Sequence, residues 1–190
     1  MENNEKTTSE PGKFRSDSFD FLEIFIITMS LVLILFSFFV RQTVVDGKSM
    51  QNTLQDGERL LISDLFYSPK AGDIIVFQSQ AETGHENALV KRVIATAGDT
   101  VRMEQNGIYV NGEKIADDYV FTDNMPYTYF TRGVIRLSVD YTVPDGKLFV
   151  LGDHRNDSLD SRYFGFIDER TVLGHVILRV SPFSRFGTVK

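Results

Sequence analysis

The chain has 190 residues, of which 42% are hydrophobic, and its formal net charge at pH 7 is −6. This length and apolar fraction suit one folded domain with short additions. The acidic balance and the lack of a long Lys/Arg run argue against a nucleic-acid partner, because phosphates favour a basic face. The chain has no cysteine, which excludes disulfides, cysteine-based zinc sites and a thiol nucleophile.

Metal chemistry is also disfavoured by the histidine pattern. The chain has three histidines, His85, His154 and His175, and no two of them form a His-x-x-x-His pair. The helix motif of zinc proteases is therefore absent. We predict neither a metal site nor a cofactor.

The first two segments are predicted to be a disordered cytoplasmic tail and a membrane span. Residues 1–20 are mostly polar, which favours disorder. From Ile24 to Val40 the chain has no charged residue, no Gly and no Pro. A helix of this length spans roughly 25 Å, close to the ~30 Å hydrocarbon core of a bilayer. We predict one transmembrane helix over residues 21–41.

Two other interpretations of the apolar segment are open. It could be a buried helix, although it is apolar on every side and the rest of the chain would have to wrap it. It could be a cleaved secretory signal, although it exceeds the usual ~7–15 apolar residues. Lys6, Lys13 and Arg15 weakly favour a cytoplasmic N-terminus. This orientation predicts a single-pass protein of the cell membrane with an extracytoplasmic domain.

The chain beyond the helix is predicted to be mainly β. Short stretches rich in Val, Ile and Phe are typical of strands, and Asn-Gly and Pro-Asp-Gly sequences indicate turns. We predict a compact antiparallel β domain over residues 42–190, with a smaller β insertion at about 100–147. The predicted strands are Arg59–Ser63, Asp73–Ser79, Leu89–Thr96, Thr100–Glu104, Ile108–Val110, Lys147–Leu151 and Thr171–Val180.

The first polar group that could perform chemistry is Ser49, in Gly47-Lys48-Ser49-Met50. At most about 30 Å of extended chain separates it from Val40, so it would lie near the membrane. Gly47 permits a close backbone approach, which is useful if a substrate strand passes by. By itself, a serine here more often has a structural role than a catalytic one.

The second candidate is Lys91. Strand alternation places it in one row with the apolar residues Leu89, Val93 and Ala95. A lysine held there would lose solvation of its charged form, which lowers its pKa and allows it to act as a general base. Arg92 on the opposite row obscures the pattern, so a solvated lysine at a strand edge is an equal alternative.

The third candidate is the polar block from Gly152 to Gly165, directly after a predicted strand. It could be a solvated loop or a calcium loop, but Arg155 occupies a position where calcium needs a ligand oxygen. It could also support an active site through its hydroxyls and an Asp160–Arg162 pair.

A Ser–His–Asp triad is a further possibility, because Asp153 and His154 are neighbours. The segment from Gly47 to Gln51 does not match the Gly-x-Ser-x-Gly elbow, although the same triad geometry occurs on other folds.

Taken in order behind one apolar helix, several motifs resemble the type I signal peptidases, and the compact size resembles the Gram-positive branch. The resemblance covers most of the chain after residue 20. The motifs are Gly47-Lys48-Ser49-Met50-Gln51-Asn52-Thr53-Leu54, Gly72-Asp73-Ile74-Ile75-Val76-Phe77, Val90-Lys91-Arg92-Val93-Ile94-Ala95 with Gly98-Asp99, and Gly152 to Gly165.

The resemblance implies a role for each matching residue. Ser49 would be the nucleophile and Lys91 the general base, while Ser158 would hydrogen-bond and orient the Lys91 amine. The supporting residues would be Asp160, Arg162 and Asp153.

Substrate contacts are implied in the same way. Met50 would pack in the substrate groove, and the Ser49 backbone N–H would stabilise the oxyanion. Gly47 stands where some members have a hydroxyl donor, so a side-chain donor would be missing there. Asn52 stands where the family commonly has Pro, which puts the turn after Ser49 in doubt.

The implied function is a membrane-bound serine endopeptidase that removes N-terminal signal peptides. Its partners would be exported preproteins and the lipid bilayer, with no nucleic acid. The alternative is a non-catalytic chaperone of the same fold in pilus assembly, which would bind extended peptides without cutting them.

Overall fold

The computed structural model describes residues 11–79, 88–116, 118–121 and 133–189. The chain divides into two compact units, Met1–Phe39 and Val40–Lys190. The first unit contains helix α1, Pro11–Phe39. Within the described residues, no helix combines the length and the apolarity that crossing a bilayer requires.

Helix α1 differs from the prediction at both ends. It begins at Pro11 rather than at residue 21, so residues 11–20 are helical instead of forming part of a disordered tail. Proline is favoured at the first helical position, because its φ is already helical and its missing N–H is not needed there. The helix ends at Phe39 because the β-branched residues Val40, Thr43 and Val44 enter a strand.

The second unit is mainly antiparallel β, as predicted. A seven-stranded sheet has the order β1-β2-β11-β3-β4-β9-β10, and a four-stranded sheet has the order β7-β6-β5-β8. One short helix, α2, covers Ser161–Phe164. The strands are β1 Val40–Val44, β2 Arg59–Ser63, β3 Ile74–Gln78, β4 Ala88–Thr96, β5 Thr100–Glu104, β6 Gly107–Val110, β7 Glu113–Lys114, β8 Asp140–Thr142, β9 Lys147–Leu151, β10 Ile167–Asp168 and β11 Val172–Ser181.

All seven predicted strands are present, with shifts of at most a few residues at their ends. Strands β1, β7, β8 and β10 were not predicted. Three of these are only two or three residues long, too short for alternation to be visible. The fourth, β1, lies where the helix prediction overran.

The two Asn-Gly turn signals have different outcomes. Asn111 and Gly112 form the turn between β6 and β7, with φ of 52° and 83°, as expected for paired positive-φ positions. At the β5–β6 hairpin, Gly107 already pairs with Glu104. The turn residues there are therefore Gln105 and Asn106, one position earlier than predicted.

Strand β3 runs through the centre of the larger sheet and is buried on both faces. Ile74 and Val76 belong to a core cluster with Leu54 and Leu60, whereas Ile75 and Phe77 belong to a second cluster. The continuous apolar run of β3 is the expected pattern for a strand covered on both sides. This burial places the neighbouring strand β4 in the interior as well.

A third core cluster joins the two sheets. It contains Ile94 and Ala95 of β4 together with Val101, Met103 and Ile108 of the smaller sheet. The register of β4 against β9 shifts between Val93 and Ala95, which is a β-bulge and re-aims the following side chains.

Candidate active site

Ser49 lies in the loop between β1 and β2, residues 45–58, which we call the nucleophile loop. Two backbone hydrogen bonds fix its position: His154 N–H donates to the Ser49 carbonyl at 3.0 Å, and Leu54 N–H donates to the Met50 carbonyl at 2.8 Å. The Met50 side chain is 1% exposed in the core. The serine is thereby anchored from the 152–165 block and from beneath.

Lys91 meets Ser49 directly. Its Nζ lies 2.7 Å from Ser49 Oγ and donates to the Val90 carbonyl at 3.0 Å. Lys91 is 2% exposed, and β4 is flanked by β3 and β9 rather than lying at an edge. The alternative of a solvated edge lysine is therefore wrong.

The predicted row around Lys91 is only partly correct. Leu89 and Val93 pack in the cluster of Ile75 and Phe77, as alternation requires. Ala95 packs in a different cluster, because the bulge after Val93 breaks the alternation.

The electrostatic environment favours a neutral lysine. Burial lowers the pKa of Lys91 from 10.5 to about 8, because the charged amine loses its hydration. Burial is the largest contribution to this net value of the pKa. The Asp160 carboxylate opposes it, the Arg162 guanidinium adds to it, and the Asp153 carboxylate opposes it. A lysine with this pKa can accept a proton from a hydroxyl near neutral pH.

Arg92, next to Lys91, forms a buried ion pair with Asp153. Arg92 Nε and Nη2 donate to the two carboxylate oxygens at 2.9 and 2.7 Å, and the side chains are 3% and 0% exposed. The Thr53 hydroxyl donates to the same carboxylate at 2.5 Å, and the Tyr119 ring stacks on the Arg92 guanidinium at 4.0 Å. Arg92, which obscured the alternation pattern of β4, is thus buried because it pairs with Asp153.

This ion pair disfavours the Ser–His–Asp alternative. Among the described residues, the hydrogen bonds of the Asp153 carboxylate go to Arg92 and Thr53. The His154 ring packs edge-on against Phe121 at 4.8 Å between centroids. Asp153 therefore does not orient a histidine toward the serine, as a triad would need.

The 152–165 block forms a buried supporting network rather than a solvated loop. Asp160 is 0% and Arg162 1% exposed, with Arg162 Nε donating to the carboxylate at 2.7 Å. The same carboxylate accepts from Gly152 N–H at 3.0 Å, and Ser161 Oγ accepts from Val150 N–H at 2.9 Å. In the part of the chain that the structure describes, no three acidic or histidine side chains are grouped to hold a metal ion.

Asp160 stays ionised in this network. Burial by itself would raise the pKa of Asp160, but the charge and hydrogen bonds of Arg162 and the Gly152 N–H hold that pKa below its ordinary value. The negative charge is thereby kept beside the site of Lys91.

The hydrogen bond from Ser158 to Lys91 that the resemblance implies is not formed in the described structure. The Ser158 hydroxyl is buried. The side chain packs against Gly152, where an added Cβ would overlap both Ser158 and the Ser49 carbonyl. Gly152 is therefore required for the close approach of the block to the nucleophile loop.

The two residues expected at the substrate side also differ in their surroundings. Met50 is in the core cluster with Leu54 and Leu60, so it lies beneath the surface rather than along it. Gly47 has φ of 88°, and its N–H donates to Asp56 at 2.8 Å. In the described structure the Ser49 N–H donates no hydrogen bond, so it is available to an incoming group.

The sequence analysis assigned no role at the site to four residues that lie near it in the structure. Thr53, Tyr119 and Arg92 surround the Asp153 carboxylate, and Glu58 is a buried carboxylate of the nucleophile loop. The sequence feature that could have indicated a buried ion pair here is Arg92, a second cation within an apolar strand.

Comparison with known proteins identifies the family of the chain. The family model described as signal peptidase, peptidase S26, matches residues 18–181. A protein named signal peptidase I from Bacillus licheniformis is 34% identical over 95% of both chains. Signal peptidase IB of Staphylococcus aureus is 34% identical over 82% of this chain and 85% of its own length.

Among solved structures, a signal peptidase I from Enterococcus faecalis V583 matches with a TM-score of 0.45 and 32% identity, covering 57% of this chain and 97% of the other. The chain belongs to the signal peptidase family, peptidase S26, and is a serine endopeptidase. Family membership favours peptide-bond hydrolysis over the non-catalytic chaperone alternative.

Proposed function

We propose that this protein removes signal peptides from exported preproteins, with Ser49 as nucleophile and Lys91 as general base. The observation that supports the proposal best is the 2.7 Å contact between Lys91 Nζ and Ser49 Oγ. The low pKa of Lys91, about 8, adds to it. About a tenth of such an amine is neutral at pH 7, compared with about 0.03% for an ordinary lysine.

The reaction is an acyl transfer in two halves. Neutral Lys91 takes the hydroxyl proton of Ser49 while Oγ attacks the scissile carbonyl, and the protonated amine then gives that proton to the leaving amino group. The C–N bond breaks and an ester to Ser49 remains. Lys91 next takes a proton from water, whose oxygen attacks the ester carbonyl. As the bond between the acyl carbon and Ser49 Oγ breaks, Lys91 returns this proton to Oγ, and the signal peptide is released with the enzyme restored.

The oxyanion would be stabilised by backbone rather than by a side-chain hydroxyl. The Ser49 N–H is the donor closest in sequence to the nucleophile, while the Gly47 N–H is engaged by Asp56. One donor contributes roughly 3 kcal/mol to transition-state stabilisation, so a second donor from water or from the substrate side would be significant.

The supporting residues act through position and charge. Asp160 and Arg162 fix the turn that follows β9. Asp153, paired with Arg92, fixes the nucleophile loop through its hydrogen bond with the Thr53 hydroxyl. Ser158 would reach the Lys91 amine through a side-chain rotation on substrate binding. Met50 would form the floor of the groove from its buried position.

The substrate would bind as an extended strand against sheet-edge backbone groups. Small residues at the first and third positions before the cut would fit shallow pockets, in line with the Ala-x-Ala-like pattern of signal peptides. A site close to the bilayer would raise the local encounter rate with membrane-bound preproteins.

We also propose that the apolar part of α1, residues 21–41 in the predicted division, anchors the protein in the bilayer. Phe21, Ile24 and Leu33 are 73%, 64% and 63% exposed, although large apolar side chains normally avoid water. A helix that is apolar on all sides is typical of a membrane span. The domain of residues 42–190, with its smaller β insertion at about 100–147, would then be extracytoplasmic.

The absence of cysteine allows a direct test of this topology. Single variants Glu5→Cys and Asp145→Cys can be exposed to a membrane-impermeant maleimide in intact cells. Labelling of Asp145→Cys before lysis, and of Glu5→Cys only after lysis, is expected. The reverse pattern would contradict the proposed orientation.

Cleavage itself is tested with purified full-length protein in detergent, a preprotein substrate and mass identification of the new N-terminus. A cut after a small residue, lost in both Ser49→Ala and Lys91→Ala, is expected. Near-wild-type cleavage by either folded variant would contradict the assignment. Binding of the precursor without any cut by the wild type would instead favour the chaperone alternative.

A further inference from the structure

The nucleophile loop is also held by the C-terminal end of the chain, through contacts that the mechanism above does not use. Arg179 lies near the end of β11, and Arg185 lies in the 3₁₀ turn Phe183–Arg185 that follows. Both side chains reach the loop from more than a hundred residues away in sequence.

The first target of these arginines is Glu58, a loop carboxylate that is 2% exposed. Arg185 Nη1 lies 2.6 Å from one carboxylate oxygen and Arg179 Nη1 lies 3.2 Å from the other. A carboxylate buried to this extent requires such partners, because leaving it unpaired is strongly unfavourable.

The second target is the backbone of the loop itself. Arg179 Nη1 and Arg185 Nη2 donate to the Thr53 carbonyl at 3.1 and 3.3 Å. Arg179 Nε also donates to the Arg185 carbonyl at 2.6 Å, which joins the two arginines into one unit. Each guanidinium therefore bridges Glu58 and the Thr53 carbonyl.

Thr53 is held from two sides at once. Its carbonyl accepts from the two arginines, and its hydroxyl donates to Asp153 at 2.5 Å. The next residue, Leu54, donates its N–H to the Met50 carbonyl at 2.8 Å. A displacement of Thr53 would therefore be transmitted within one turn of chain to Met50 and to Ser49 beside it.

We propose that Arg179 and Arg185 are positioning residues for Ser49, which they hold within reach of Lys91 by clamping the Thr53 carbonyl. The inference rests on the proposed function of Ser49 and Lys91 and extends it to the C-terminal segment. Misplacement of a nucleophile by about 1 Å can cost about a hundredfold in rate. Loss of the clamp is thus expected to lower kcat and to leave KM little changed.

Arginine is required because one guanidinium reaches two acceptors. A lysine at position 185 keeps the charge beside Glu58, but its single ammonium cannot match the planar fork that contacts both groups. Arg185→Lys therefore separates the ion pair with Glu58 from the clamp on Thr53. Arg185 is also 30% exposed at its side chain, so the substitution is compatible with folding.

The experiment compares wild type with Arg185→Lys, Arg185→Gln and the double variant Glu58→Gln/Arg185→Gln. The matched control is Arg170→Lys, an arginine that is 90% exposed and pairs with Asp168. Each full-length protein is measured for kcat, KM, the pH dependence of cleavage, the thermal midpoint and hydrogen–deuterium exchange over residues 45–58.

We expect Arg185→Lys to lower kcat about tenfold or more, with KM, thermal midpoint and the kinetic pKa near 8 unchanged. Relative to Arg185→Gln, the double variant should recover thermal stability, because no buried carboxylate is left unpaired. It should not recover kcat. Hydrogen–deuterium exchange over residues 45–58 should rise in Arg185→Lys and in the double variant, and not in Arg170→Lys.

The inference is overturned if Arg185→Lys keeps wild-type kcat, or if the double variant recovers kcat. Either result would mean that the two arginines only neutralise the charge of Glu58 and do not position Ser49. Hydrogen–deuterium exchange needs no cleavage, so it separates the two proposals. A wild type without peptidase activity whose loop still loosens in Arg185→Lys would remove the proposed function and leave the clamp intact.

Discussion

Burial of Lys91 should cost the protein stability, and Lys91→Met should recover it in a pH-dependent way. The pKa of Lys91 is lowered from 10.5 to about 8. Below pH 8 the lysine is protonated in both the folded and the unfolded chain, so the folded state bears the full cost of burying the charge. As the pH rises from 8 to 10.5, the folded amine is neutral while the unfolded amine still binds a proton, and stability rises.

The size of this effect follows from the pKa difference. Each tenfold change in proton affinity corresponds to about 1.4 kcal/mol, so a pKa of about 8 instead of 10.5 corresponds to about 3 kcal/mol of destabilisation below pH 8. Methionine has a similar length and no charge. Lys91→Met is therefore expected to be inactive and about 3 kcal/mol more stable at pH 7, with the advantage fading above pH 8.

The assay is urea unfolding of full-length protein in detergent, followed by circular dichroism between pH 6 and pH 10. The control is Lys70→Met, which removes an exposed lysine instead of a buried one. A stability difference between Lys91→Met and wild type that stays constant across this range would refute the argument that burial neutralises Lys91.

Three further outcomes are expected. The kcat/KM for cleavage should rise through a pKa near 8 as Lys91 deprotonates, and a flat profile from pH 6 to pH 10 would count against a lysine base. Asp160→Asn should cost about 3–5 kcal/mol by leaving Arg162 buried and unpaired, measured by urea unfolding at pH 7. Because the pKa of Asp160 is lowered, this difference should shrink as the pH falls below the ordinary carboxyl range; an unchanged difference at pH 3 would contradict the ion pair. Gly152→Ala should lower kcat by about a hundredfold, since the methyl group would push the Ser49 carbonyl, whereas Gly146→Ala, with open space around it, should keep wild-type kcat; equal rates in both would contradict the close approach.

Much of the β domain could be predicted from local pattern. Apolar runs such as Ile74–Phe77 and the turn at Asn111-Gly112 each follow from short-range rules. The bulge after Val93 could not be predicted, because it depends on the register against β9. The end of α1 at Phe39 also depends on pairing, since Val40 pairs with Ser63 across β1 and β2.

Less of the candidate site than of the β domain could be predicted from the sequence. Alternation suggested a buried Lys91, but nothing local to Ser49 linked it to that lysine, and the link came from the resemblance. The ion pair of Arg92 with Asp153 joins residues that are 61 positions apart, and no local rule specifies such a partner. The same reason explains why the contacts of Arg179 and Arg185 with the nucleophile loop could not be foreseen.

The most direct test of the central claim is covalent labelling with a peptidyl phosphonate that has alanine at the position before the reactive group. The modified peptide would be mapped by mass spectrometry in wild type, Ser49→Ala and Lys91→Ala, at several pH values. The account predicts one adduct, on Ser49, formed at a rate that rises through pH 8 and lost in both variants. An adduct on another hydroxyl, such as Ser158, or undiminished labelling of Lys91→Ala, would contradict it.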